Sequence, residues 1–127
     1  MRKRPDFGKD AFAEKCMSII SSFGKIKDPD GRLGKIASPE TIFHVDKFLR
    51  ELPVTYREKF VPEKEISITS EGAVVLDFYS NKFFVSVEIL NSRMGFFSEL
   101  PSGRNFTISG VDVGMHPLFL SAIREIY

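Results

Sequence analysis

The stretch "KDPDGRLGKIASPETI", residues 27–42, gathers residue types that serve metal and phosphate sites. An EF-hand calcium loop needs oxygen ligands at positions 1, 3 and 5, glycine at 6 and glutamate at 12. With Gly31 at position 6, Asp28 and Asp30 fall at 3 and 5, but Ile26 takes position 1 and Ala37 position 12. The bidentate acid is missing, and calcium is not expected. Gly31 and Gly34 with Arg32 and Lys35 have phosphate-binding chemistry, yet the GxxxxGK[ST] spacing is absent and no strand leads in. Asp-Pro-Asp-Gly suits a type I turn, with Pro second and Gly fourth. The stretch reads as a bend followed by a helix start.

The single cysteine, Cys16, and two histidines, His44 and His116, form no zinc tetrad without carboxylates, and no HExxH pattern occurs. Cys16 sits on an apolar stripe and reads as a core thiol; a dyad with either histidine is the catalytic alternative. Asp77, Glu88 and Glu99 lie on or near predicted strands, and Asp77 and Glu88 face the same side. Acid–base work would also need a pocket with a histidine. No catalytic residue, metal ligand or cofactor is assigned. Arg93 and Arg104, beside glycine-bearing loops, are the candidate anion-binding residues for a small molecule or nucleotide held between sheet and helices.

Charge sets further bounds. The 127 residues carry a formal +1, too little for a global field that draws in nucleic acid or membrane. Residues 1–64 carry +4 and residues 65–127 carry −3. The RNP1 pattern is absent and the strand-bearing half is acidic, so specific nucleic-acid binding is not expected. Arg2, Lys3, Arg4, Lys9 and Lys15 would make only unspecific contacts. With one cysteine, no signal-peptide order and no apolar run of about 18 residues, a soluble cytoplasmic protein is expected.

The elements follow from periodicity. Residues 1–5 form a basic tail that Pro5 keeps from being helical, and residues 6–127 make one domain. Phe12, Cys16, Ile19, Ile20 and Phe23 recur at helical spacing over 6–23, with Gly24 as C-cap. Ser38, Pro39 and Glu40 have the order of N-cap, first helical proline and dipole-matched acid, predicting a helix over 39–51 that buries Ile42, Val45, Phe48, Leu49 and Leu52. After a loop containing Tyr56, Phe60 and Pro62, the period becomes alternating. Strands are predicted at 66–68, 73–79, 83–90 and 94–98, with a weaker one at 106–113. Pro117 opens a last helix. The class is α+β: an antiparallel meander of four to five strands, with two N-terminal helices and one C-terminal helix packed mainly on one face.

Alternation puts Val74, Leu76, Phe78, Phe83, Val85, Val87 and Ile89 on the core face and Asp77, Ser86 and Glu88 opposite. Val75, Tyr79, Phe84, Phe96 and Phe97 then cannot all share the core side, and an exposed aromatic patch marks an interface. The functional expectation is a non-enzymatic module that binds another protein through these residues, or pairs as a homodimer. The alternatives are the ligand-binding protein above and a small enzyme.

The segments "DGRLGKIASPETI", "FHVDKFLRELP", "ISITSEGAVVLDF" and "FFVSVEI" together resemble a large group of small uncharacterised bacterial and phage proteins. In those, a Trp-Asp-Gly-x-Gly-Ala segment precedes a Ser-x-Glu-Thr helix start and a Pro-x-Ile-x-x-x-x-Asp-Gly-x-Ile-x-Leu-x-Trp hairpin. Asp30, Gly31 and Gly34 match the first, Ser38, Glu40 and Thr41 the second, and Ile66, Ile68, Gly72, Val74, Leu76 and Phe78 the third. Pro29 and Phe78 stand at or near the places of the two tryptophans. The resemblance covers roughly residues 28–97 and implies an accessory protein of mobile-element or phage conflict systems; the group supplies no catalytic residues to carry over.

Overall fold

A computed structural model of the chain describes residues 10–23 and 36–127. The basic tail, the Asp-Pro-Asp-Gly turn, the Gly31/Gly34 segment and the Gly24 cap lie outside the described residues. The fold is α+β, in the order α1 (Ala11–Phe23), α2 (Pro39–Glu51), α3 (Val54–Arg57), α4 (Pro62–Glu65), β1 (Ile66–Ile68), β2 (Val74–Ser80), β3 (Phe83–Leu90), β4 (Arg93–Glu99), β5 (Phe106–Asp112) and α5 (Pro117–Ile126).

Each long helix starts on a side-chain cap. Helix α1 runs from Ala11, where the Asp10 carboxylate accepts from the Ala13 N–H at 3.0 Å; residues 6–9 of the predicted helix lie outside the described residues. In α2 the Ser38 hydroxyl accepts from the Thr41 N–H at 3.1 Å, with Pro39 at the first helical position as its sequence predicts. In α5 the capping acceptor is His116 Nδ1, 3.1 Å from the Leu118 N–H.

The predicted loop after α2 holds two four-residue helices, α3 and α4, each too short to show a period. They are organised by Arg57. Its guanidinium donates to the carbonyls of Leu52 at 2.8 Å and Arg50 at 2.6 Å, at the carboxyl end of α2, and to Asp10 at 2.6 Å. It also lies over the Phe12 ring at 5.4 Å. One side chain thus ties the negative end of α2 to the start of α1. The pair is well shielded, with Arg57 16% and Asp10 20% exposed.

The five strands form one antiparallel sheet in sequence order. Asn81 and Asn91 turn the β2–β3 and β3–β4 hairpins at φ +58° and +54°, a left-handed region that asparagine tolerates better than most residues. The Asn91 turn is fastened to α2: its N–H donates to the buried Thr41 hydroxyl at 2.7 Å, and its side-chain oxygen accepts from Ser38 at 3.1 Å. Between β4 and β5 the register slips, with Met94 facing Val111 and Phe96 facing Ile108, so β5 carries one extra residue at a bulge. Gly110, at φ +70°, supplies the conformation. Gly95 sits opposite, where a Cβ would crowd the Ile108 carbonyl oxygen at 3.1 Å.

The inner face carries Ile66 from β1, Val74, Leu76 and Phe78 from β2, Val85, Val87 and Ile89 from β3, and Met94 and Phe96 from β4, all buried. Helices α1, α2 and α5 pack onto it with Cys16, Ile20, Val45, Phe48, Leu49, Phe119 and Ile123. Rings interlock there: Phe78 and Phe96 both meet Phe119, with centroids 5.7 and 6.2 Å apart, and Phe48 meets Phe119 at 5.3 Å. Two predicted core residues are less enclosed. Ile42 and Phe83 are half-buried, Phe83 because it starts its strand, with Lys82 Nζ 5.6 Å from its ring centroid.

Candidate interaction surface

The opposite face of the same strands has no helix over it among the described residues. Pairing places its residues in rows: Tyr79 beside Phe84 beside Glu99, Asp77 beside Ser86 beside Phe97, and Val75 beside Glu88 beside Gly95. Rings from three adjacent strands touch in sequence, Tyr79 meeting Phe84 directly across the pair and Phe84 meeting Phe97 diagonally. Tyr79 and Phe84 lie 6.0 Å apart by centroid, and Phe84 and Phe97 5.6 Å apart at 85°. Tyr79 is 49% exposed and Phe97 47%, while Phe84 and Val75 are half-buried.

Phe96 does not belong to this patch. It directly precedes Phe97, so the pleat sends it to the inner face, where it is 2% exposed and packed against Phe106, His116 and Phe119. Ser86 faces outward as predicted but is buried, because its small side chain sits between Asp77 and Phe97; its hydroxyl donates to Asp77 at 2.6 Å. The negative charge of Asp77, then burial, then Glu65 raise the Tyr79 hydroxyl above its ordinary pKa. Burial, followed by the repulsion of Asp77, likewise raises the Glu65 carboxyl.

Arg93 and Arg104 are not brought together as an anion site. Arg93 begins β4 and Arg104 lies beyond its far end, a separation of about 20 Å for a seven-residue strand. Each is paired with an acid: Arg93 with Asp112 at 2.8 Å and Arg104 with Glu125 at 3.1 Å. Hydrogen bonds from Ser102, then Arg104, hold the Glu125 carboxyl below its usual value. Asp77 and Glu88 do share the outer face, but the histidines are elsewhere, His116 against the inner-face Phe96 and His44 on α2. Cys16 is fully enclosed, and burial pushes its thiol up to about 12, far from a reactive thiolate. Among the described residues no cluster of three or more His, Cys, Asp or Glu is arranged to hold a metal ion, and no helix is long and apolar enough to cross a membrane.

Open depressions lie on both sides of the fold among the described residues. One, of about 400 Å³, lies between α1 and α2 and is walled by Met17, Ile42, Phe43, Glu14, Asp46 and Arg50. Another, of about 240 Å³, lies on the outer sheet face where Gly95 and Gly110 leave no side chain, walled by Glu88, Leu90 and Arg93. The bulge that makes it was not legible in advance. Its only sequence signal is a glycine in each of two neighbouring strands. Comparison with protein-family models, curated proteins and solved structures finds no match to this chain.

Proposed function

We propose that this chain is a protein-interaction module that takes its partner on the outer sheet face. The observation that carries this reading is the contact between Tyr79, Phe84 and Phe97 on strands whose other side is fully packed, with Tyr79 and Phe97 each about half exposed. Cross-strand ring pairs stabilise a sheet by only about 0.2–1 kcal/mol each, whereas exposed, contiguous aromatics are the usual anchors of interfaces. We further propose, from the motif resemblance alone, a role as a small accessory protein of a phage or mobile-element conflict system.

The anion-binding reading is weaker, since both arginines it needs are engaged by carboxylates. A photoreactive phenylalanine analogue at position 97, introduced in producing cells, tests the interaction reading. A discrete protein adduct is expected from position 97 and not from position 54, where Val54 is exposed on the helical side. Equal adducts from both positions, or none from 97, would count against it.

A further inference from the structure

The outer face has a sign as well as a shape. Among the described residues, the outward positions of β2 to β5 hold four acids, Asp77, Glu88, Glu99 and Asp112, and one cation, Arg93. Arg93 is already engaged by Asp112. Asp77 accepts only a neutral hydroxyl, that of Ser86, while Glu88 and Glu99 are exposed and have no ion pair among the described residues. Glu65, just before β1, lies close enough to Asp77 for the two charges to repel. A partner that neutralises these acids relieves that repulsion.

The acids flank the ring cluster: Glu99 pairs across β3 with Phe84, Asp77 precedes Tyr79 by two residues on the same face, and Glu88 walls the neighbouring depression with Leu90. Ring faces attract guanidinium and ammonium groups, and this attraction strengthens as water is excluded. A depression with an apolar wall and a carboxylate at its rim fits a side chain with an aliphatic stem and a cationic head.

We propose that the partner presents a basic segment, with arginine or lysine side chains, to this acidic and aromatic face. The inference rests on the reading that the outer face is the binding surface, and it specifies the chemistry of the occupant. A second copy of the chain is a poor fit, because a two-fold contact through this face sets Asp77, Glu88 and Glu99 against the same acids of the other copy. Nucleic acid and anionic lipid are repelled by the same charges.

The test uses the full isotope-labelled chain, titrated by NMR with three short extended peptides: an Arg–Val repeat, a Glu–Val repeat and a Ser–Val repeat. The Arg–Val peptide is expected to shift outer-face amides of β2, β3 and β4, and to bind about tenfold more tightly than the others at low ionic strength. Combining Glu88→Gln with Glu99→Gln is expected to weaken it several-fold while leaving the unfolding midpoint in place. If the Ser–Val or Glu–Val peptide occupies the outer face as well as the Arg–Val peptide does, the charge preference is overturned while the face remains the binding surface. If the Arg–Val peptide shifts amides elsewhere, or none of the probes shifts any, both readings fall.

Discussion

Phe96 and Phe97 are chain neighbours of one residue type, yet one is enclosed among Phe106, His116 and Phe119 and the other stands half in water against Phe84. The two faces of the sheet differ in the same way throughout. The inner face is a jigsaw of rings and aliphatic side chains under three helices. The outer face carries an aromatic row that packs on itself and is edged by carboxylates. Burial of apolar surface accounts for the first face, while the second contributes only cross-strand pairs of about 0.2–1 kcal/mol each. Composition assigns neither role; position in the pleat does.

The largest expected effect falls on the inner face. Phe96→Ala should cost about 3–5 kcal/mol, measured by urea unfolding, since it removes a ring from a site that cannot collapse freely. That is a large fraction of the about 5–15 kcal/mol that holds a domain together. Next comes the tie between the helices. Arg57→Ala should cost about 1–3 kcal/mol by removing the cation beside Asp10 and the donor to the Arg50 and Leu52 carbonyls. Burial pushes the Asp10 carboxyl up, but the Ala13 N–H and the Arg57 guanidinium outweigh it and hold its pKa below the ordinary 3.8. The sign follows: a depressed carboxyl stabilises the fold above 3.8, and that contribution is lost as pH falls through the lower folded value. Acid titration of stability should therefore be shallower in Asp10→Asn.

On the outer face the effects should be small. Phe97→Ser should change stability by less than about 1 kcal/mol. Glu65→Gln should raise it at neutral pH by about a few tenths of a kcal/mol after solvent screening. Because the Glu65 pKa is raised on folding, the ionised carboxyl costs stability at neutral pH and that cost fades as pH falls through the folded value, so the gain should vanish in acid. A Phe97→Ser loss comparable to that of Phe96→Ala would erase the contrast between the faces.

Much of the fold was legible because its signals are local. Helix α2 follows its cap and proline residue by residue, and β3 follows its alternation from Phe83 to Leu90. The failures were long-range. Arg57 reads as one more surface cation, yet its role is set by the ends of α1 and α2, 47 residues apart in the case of Asp10. Thr41 reads as a polar helix residue, yet it is buried because the Asn91 turn docks on it. The ring cluster was legible as a set of residues, but only the strand pairing removes Phe96 and shows that Tyr79, Phe84 and Phe97 touch.

The measurement that bears most directly on the division of labour is made on the double variant Tyr79→Ser with Phe97→Ser. Thermal unfolding is recorded alongside capture by a photoreactive residue at position 90, where Leu90 is exposed on the same face. The account predicts a melting temperature within a few degrees of the parent and loss of the protein adduct. A folded variant that keeps its adduct would contradict it, as would a variant that unfolds as readily as Phe96→Ala.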